Sequence, residues 1–327
     1  MVKIVYTSNH TDGIEFVRET LTKDYEITVR DVHCGTDEEK LIKQCRDADV
    51  VLCDFEPFTR HVLENLPKLK LLQFTGVGFN ECDIEAAKEL GIAVCNCPTY
   101  CIDEVADHAT ALMLAINRRL QQFTKRVKID HVWAGTEFKD MRPMKELTIG
   151  LCGFGNIPKR VAKRVQAFGS RVIAYDPFVP AEVMKTADVE KRELDDFLAE
   201  ADYILCQLPA LPSTMNFFNK DLFARCKDGV VFINTSRGAV VNEDDLLEAL
   251  RSGKVGFAGL DVLVDENPDL ETCPFAKLDN VLLTPHAAFY SASARRRGRI
   301  EAAHSIMDYM EGRYDQAPIR NGVRGRK

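Results

Sequence analysis

The sequence predicts an α/β protein made of two doubly wound parallel-sheet domains, one inserted into the other. Three observations carry this. The chain has 327 residues, more than one ordinary core takes, so two domains are expected. Short apolar runs alternate with amphipathic stretches, the pattern of parallel strands covered by helices on both faces. At Ile102 the texture changes, and after a long amphipathic stretch the alternation begins again.

The elements follow in order. In the first part VKIVYT, YEITVRD, ADVVLCDF, LKLLQFT and IAVCNCP read as strands, with IEFVRETLTK and DEEKLIKQCRD as helices between them. From Asp103 to Val127 there is neither proline nor glycine. This stretch reads as one long helix, with Asp103 as its N-cap. Arg118, Arg119 and Lys125 lie toward its C-terminal end, where cations suit the helix dipole. LTIGLCGFG, RVIAYDP, ADYILCQLP, GVVFINTS, FAGLDVL and NVLLTPH are the strands of the inserted domain. SARRRGRIEAAHSIMDYMEG is a tail helix belonging to the first domain. The expected division is 101–288 for the inserted domain, with 1–100 and 289–327 forming the other. No internal repeat or low-complexity segment interrupts this plan.

Composition narrows the class. Hydrophobic residues make up 46% and charged residues 28%, as in soluble globular proteins. The net charge of −7 argues against a nucleic-acid partner, which a basic footprint would announce. No apolar run approaches the ~20 residues a membrane helix needs. MVKIVYTSNH reads as a first strand and lacks the apolar centre of a signal peptide. The eleven cysteines are scattered through apolar runs, the usage of a reducing compartment, and a cytoplasmic setting is expected. In CNCPTYC the spacing of Cys95, Cys97 and Cys101 has no second pair to complete a metal site, so no metal is expected. RRRGR at 295–299 spreads around its helix and reads as a solvated or interface face, and the final RGRK as a disordered tail. His10, His33, His61, His108, His131 and His304 read as structural. Phe74, Phe79, Tyr100, Phe289 and Tyr290 flank the expected crevice, as pocket wall or as core.

GLCGFGNIPKR holds the first candidate site. An apolar strand runs into Gly153 and Gly155. A helix pattern follows, with Val161, Ala162, Val165 and Phe168 on one face. The next strand ends at Asp176, 21 positions after Gly155, close to the ~20 expected of a carboxylate that binds an adenosine ribose. Backbone N–H groups of Asn156 and Ile157 would face a pyrophosphate at the helix N-terminus. Asp176 would accept from the ribose hydroxyls and repel a 2′-phosphate, which favours NAD over NADP; its plainer role is to begin the DPF turn. Pro158 stands where the G-x-G-x-x-G pattern has its third glycine. That glycine serves helix–strand packing, and proline is tolerated in a first turn. Because proline disfavours helical angles in the residue before it, the helix is expected to start one step late, past Ile157.

Three later segments, NTSRGAVVNEDDLLEAL, GLDVLVDENP and LLTPHAAF, each place a polar residue just after an apolar strand. Ligands sit at the carboxyl ends of such strands, so Arg237, Glu266 and His286 should converge. Arginine binds a carboxylate bidentately, histidine passes a proton near neutral pH, and glutamate orients the ring. That set suits reduction of a 2-keto acid, with a nicotinamide supplying the hydride. Taken alone, Arg237 has plainer roles: capping a carbonyl or pairing with Asp244 or Asp245.

GFGNIP…YDP, NTSRGAVVNEDDLLEAL, DVLVDE and TPHAA, in this order, resemble the D-isomer-specific 2-hydroxyacid dehydrogenase family over nearly the whole chain. The resemblance implies two Rossmann-like domains, an NAD-binding domain inserted into a flavodoxin-like substrate domain. It implies NAD-dependent reduction of a small 2-keto acid to the D-2-hydroxy acid, and the reverse, with Arg237 on substrate and Glu266 paired to the acid/base His286. It places Leu208, Pro209, Thr214, Thr235 and Ser236 along the cofactor and Asp261 at the nicotinamide amide. TGVGFNECD resembles the loop whose amides hold the substrate carboxylate, at Val77 and Gly78. A homodimer built on the nucleotide domain, with a cleft that closes by hinge motion, is implied too. Asn267 stands where the family usually has proline, with Pro268 one step later, so a shifted Glu266 loop is expected. YCIDEVADH and TPHAAFYS resemble the branch of the C-terminal binding proteins, which implies an alternative: an NAD(H)-sensing corepressor-like protein with little turnover.

Overall fold

The computed structural model describes residues 1–7, 13–30 and 37–325. His10, His33 and the last two residues of the RGRK tail lie outside them. The chain divides into two compact units, Met1–Cys101 with Tyr290–Lys327, and Ile102–Phe289. Each division falls one residue beyond the expected one.

In the first unit β1 (Val2–Tyr6), β2 (Tyr25–Val29), β3 (Val50–Cys53), β4 (Leu71–Phe74) and β5 (Ala93–Cys95) form a sheet in the order β2-β1-β3-β4-β5. All its pairings are parallel. Every residue of β3, β4 and β5 is buried, which is why they read as continuous apolar runs and do not alternate. Helices α1 (Ile14–Thr20), α2 (Glu38–Cys45), α3 (Arg60–Glu64) and α4 (Ile84–Glu89) connect them. Asp37, Thr59 and Asp83 cap three of these, accepting from Lys40, Val62 and Ala86 N–H, as N-cap chemistry requires.

The second unit opens with α5 (Ile102–Asn117) and α6 (Leu120–Lys128). Its seven strands are β6 (Thr148–Cys152), β7 (Arg171–Tyr175), β8 (Glu190–Lys191), β9 (Tyr203–Cys206), β10 (Val230–Asn234), β11 (Val255–Leu260) and β12 (Val281–Leu283). They run in the order β12-β11-β10-β9-β6-β7-β8, all parallel. Between them lie α7 (Asn156–Ala167), α8 (Ala181–Lys185), α9 (Leu194–Glu200), α10 (Lys220–Arg225) and α11 (Glu243–Ser252). Two buried clusters fill this unit. One is rich in phenylalanine, with Phe197, Phe218, Phe223 and Phe232. The other packs Ala106, Ala109 and Met113 of α5 with Val161 and Val165 of α7. The last helix, α12 (Ala292–Met310), belongs to the first unit and is capped by Ser291.

Three expectations are corrected. The long helix is broken: Arg119 has φ 52 and separates α5 from α6. Its buried guanidinium lies 3.7 Å over the Phe257 ring and pairs with Asp140. That stacking and pairing outweigh the strain of a left-handed arginine. Asp103 lies inside the first turn of α5 and is not its N-cap. The RRRGR run is not all solvated. Arg299 is buried against Asp54 at 3.2 Å, because the charge of Asp54 in the same interior compensates it. Arg297 donates to Tyr100 O at 3.0 Å.

Candidate active site

The strand order of the second unit reverses at β6, which pairs with β7 on one side and β9 on the other. A crevice at the carboxyl ends of such strands is where open α/β sheets take ligands. Gly153 follows β6 with φ +92, and a Cβ there would lie 2.9 Å from Gln207 O beyond β9. Both the angle and the close approach demand glycine. Gly155 differs: no atom lies within 4 Å of a Cβ placed on it. The space beside it is open. It is also the N-cap of α7, and no side chain caps that helix. The N–H groups of Asn156 and Ile157 therefore sit at an uncapped helix start beside open room, the setting of a diphosphate cradle.

Pro158 is the third residue of α7 and is buried. The helix begins at Asn156, so the expected late start does not occur. The first four N–H groups of a helix have no intrahelical acceptor, so the ring removes no bond. Burial of Pro158, Val161 and Ala162 outweighs the restriction on Ile157.

Asp176 follows β7 and spends one oxygen on each side. Its Oδ2 accepts from Phe154 N–H at 2.9 Å, and its Oδ1 accepts from Phe178 N–H at 2.9 Å. It therefore begins the DPF turn and also ties that turn to the glycine turn. A carboxylate has about four lone-pair sites, so acceptors remain for ribose hydroxyls.

The loops after β9 and β10 are built as one system. Leu208 packs against the phenylalanine cluster. The turn from Pro209 closes on Thr214, whose hydroxyl accepts from Leu211 N–H at 2.9 Å. Gln207 Nε2 donates to Thr235 Oγ1. Asn234, the last residue of β10, accepts from Ser236 N–H at 3.0 Å and from its hydroxyl at 2.8 Å. Its Nδ2 donates to Arg237 O at 2.9 Å. The half-buried Arg237 guanidinium donates to Ser236 O at 2.7 Å. Asp245, proposed as a plainer partner for Arg237, instead accepts from Lys220 N–H at 2.9 Å.

Sequence reading missed the residues that hold these loops together. A Cβ on Gly238 would lie 2.1 Å from Leu263 C. The glycine of the R-G pair is thus what lets the 263–264 backbone cross it. Glu243 accepts from Val264 N–H at 2.7 Å, and burial raises its carboxyl above the usual range. In the sequence Glu243 was one acid among several at a helix start, and nothing local singles it out.

His286 Nδ1 lies 2.8 Å from Glu266 Oε2, with 28% and 44% of their side chains exposed. The carboxylate only accepts, so Nδ1 carries the proton, and Nε2 is the position that gains or loses one. The Asn267 substitution does not prevent this contact. Asn267 N–H donates to Asp265 Oδ1 at 2.9 Å, a turn bond that proline cannot form. His286 itself has φ 49, and its N–H donates to Asp261 O at 2.8 Å. Asp261 is buried and its carboxylate accepts from Ala287 and Ala288 N–H, each at 2.9 Å.

In the first unit the strand order reverses at β1, which β2 and β3 flank. Thr75 and Tyr6 hydroxyls and Arg299 all donate to Asp54. Glu56 accepts from Asp54 N–H at 3.0 Å, and burial, then the charge of Asp54, pushes its carboxyl up to about 7. The Val77 carbonyl is held by Asn96 Nδ2 at 2.6 Å and Gly76 O by Cys97 N–H at 2.9 Å, which fixes the loop containing Val77 and Gly78. Phe74 and Tyr100 are core, while Tyr290 is 60% exposed. Among the described residues no cluster of three or more potential metal ligands occurs.

Comparison with known proteins adds the following. Residues 110–288 match the family model described as D-isomer specific 2-hydroxyacid dehydrogenase, NAD binding domain. The chain is 36% identical over 292 residues to a D-3-phosphoglycerate dehydrogenase of Mycobacterium leprae, a match covering 88% of this chain and 54% of that protein. The chain thus spans about half the length of this and the similar mycobacterial relatives. It is 37% identical over 290 residues to a hydroxypyruvate reductase of Thermotoga maritima, covering 88% and 92%. The structure of D-lactate dehydrogenase from Aquifex aeolicus, complexed with NAD and lactic acid, matches with TM-score 0.87 at 30% identity, covering 98% and 99%.

Proposed function

The chain belongs to the D-isomer specific 2-hydroxyacid dehydrogenase family, and on that premise we propose that it reduces a small 2-keto acid to the D-2-hydroxy acid with NADH. The observation that carries the reading is the 2.8 Å contact between Glu266 and His286 at the carboxyl ends of the sheet that holds the glycine turn. When bound, NADH would supply the hydride that the keto carbon takes up. The protein does the rest. Glu266 holds the Nδ1 proton, so the imidazolium presents its Nε2 proton to the keto oxygen and becomes neutral as the hydroxyl forms. Arg237 holds the carboxylate and draws charge toward the carbonyl oxygen. In the other unit Val77 and Gly78 are assigned backbone donors for a carboxylate. Asn156, Ile157, Asp176, Leu208, Pro209, Thr214, Thr235, Ser236 and Asp261 are assigned to the cofactor.

The test is NADH oxidation against glyoxylate, pyruvate, hydroxypyruvate, 3-phosphohydroxypyruvate and branched or aromatic keto acids. Turnover on one or more, falling about 10³-fold in His286→Ala, is the expected result. NADH binding without turnover on any would overturn the enzymatic reading in favour of an NAD(H)-sensing binding protein.

We also propose a homodimer formed through the second unit. Leu120, Ile129 and Trp133 are 53%, 68% and 92% exposed. The segment that carries the last two is held to α6 by Arg126–Glu137 at 3.1 Å and by an edge-on Phe123–Phe138 pair. An ordered apolar arm of this kind suits an isologous interface. A cytoplasmic setting is proposed from the ten described cysteines, all of them buried. No helix among the described residues is long and apolar enough to cross a membrane, and the acidic charge speaks for small-molecule ligands in preference to nucleic acid.

A further inference from the structure

His108, on α5, has no part in the chemistry above, yet it reaches the turn that carries His286. Its Nε2 lies 2.9 Å from Thr284 Oγ1 and 3.5 Å from Asp261 Oδ1. Thr284 Oγ1 lies 2.6 Å from Asp261 Oδ1. Proton bookkeeping fixes the direction of these bonds. A carboxylate only accepts, so the single hydroxyl proton of Thr284 goes to Asp261. The hydroxyl must then accept from the ring, so His108 carries its proton on Nε2. The chain of bonds runs from His108 through Thr284 to Asp261. Asp261 in turn accepts the Ala287 and Ala288 N–H groups, and its own carbonyl accepts the His286 N–H.

We propose that His108 is a positioning residue for the acid/base histidine: it holds Thr284 and Asp261 in the orientation that fixes the 284–288 backbone and so sets the direction of the His286 ring. Two features make the turn dependent on such support. His286 is in the left-handed region at φ 49, a strained conformation for a non-glycine residue that persists only where its surroundings enforce it. The Asp261 side chain is 1% exposed, and a buried carboxylate relies on charge-assisted donors. The Thr284 hydroxyl supplies one, and His108, whose side chain is 24% exposed, holds that hydroxyl from outside the turn. The role rests on the functional reading above for its consequence in catalysis, but the positioning itself has a readout of its own.

The experiment compares the full-length wild type, His108→Leu, His108→Gln and Thr284→Val. Glutamine places an N–H donor near the Nε2 position, whereas leucine has none. Two measurements are made. The first is kcat, KM and the pH profile of kcat/KM for the keto acid the wild type reduces best. The second is the NMR titration of the His286 imidazole, assigned through His286→Asn. His108→Leu is expected to lose about tenfold or more in kcat, with KM changed about threefold or less. It should also displace the His286 titration and the matching limb of the pH profile. His108→Gln should restore most of both. Thr284→Val, which keeps the shape and removes only the hydroxyl, should move both in the same direction and covers the case of a His108→Leu protein that does not fold. An unchanged His286 titration in His108→Leu or Thr284→Val overturns the proposal, as does an equal loss in the leucine and glutamine variants. A wild type that reduces none of the keto acids overturns the functional reading instead, and the NMR titration then decides the positioning role alone.

Discussion

Asp176 holds two backbone N–H groups, one on each oxygen, and still offers acceptors for a ribose. Its removal should therefore act on the cofactor more than on the fold. Asp176→Ala is expected to weaken NAD binding about tenfold and to narrow the preference over NADP, as read by titration with both dinucleotides. Pro158→Gly should change NAD affinity only modestly, because the proline takes no donor from the first turn of α7. A hundredfold gain in that variant would show the ring obstructing the cradle. Glu56 gives a prediction in pH. Its carboxyl sits at about 7, above the ordinary 4.5, through burial and the adjacent charge of Asp54. The folded chain then binds more protons than the unfolded chain between these values, so stability falls as pH rises through that window. Glu56 is half-buried, and the expected loss in wild type is about 1–2 kcal/mol between about pH 5 and about pH 8. Glu56→Gln should abolish it. Denaturant unfolding of both proteins at the two pH values measures the difference, and parallel losses would refute the assignment.

The Glu266 loop shows how an element compensates for a missing residue. Where a proline would stiffen the turn, Asn267 donates its N–H to Asp265, and Glu243 takes the Val264 N–H. Gly238 lets the loop lie directly on the R-G segment. Putting proline back removes a donor this version of the loop uses. Asn267→Pro is therefore expected to lower kcat about three- to tenfold, while Asn267→Ala, which keeps the N–H, stays near wild type. Steady-state kinetics of the pair decide it. A proline variant as active as wild type would mean that the Asp265 turn does not place Glu266. The break between α5 and α6 belongs to the same scale. Helical periodicity runs through Arg119, and its stacking on Phe257 and pairing with Asp140 hold the backbone turned there.

At the scale of the whole molecule, the exposed arm of the second unit makes the strongest claim. A tryptophan that is 92% exposed on an ordered segment is uncommon in a chain that works alone. Trp133→Glu is expected to shift the protein from dimer to monomer at micromolar concentration in light scattering after size exclusion. Wild-type protein that is already monomeric would remove the proposed interface. The two-unit division also follows from size, since each part encloses its own buried clusters.

What the sequence determined by itself was whatever depends on local pattern. Among the described residues apolar runs named eleven of the twelve strands, missing the two-residue β8, whose glutamate and lysine carry no strand signal. Glycine, carboxylate and proline chemistry located the turn at Gly153–Pro158 and the acid at Asp176, because turn geometry restricts residue type within a few positions. Glu266 and His286 were named from their places after apolar strands. The tertiary structure alone decided the rest, because it depends on partners far away in the chain. Arg299 is buried because Asp54 is there to meet it. The glutamate loop closes because Gly238 leaves room for Leu263. His108, unremarkable in its helix, becomes part of the histidine turn only through Thr284, 176 positions later. Desolvation and hydrogen-bond direction settle such contacts, and neither leaves a period in the sequence.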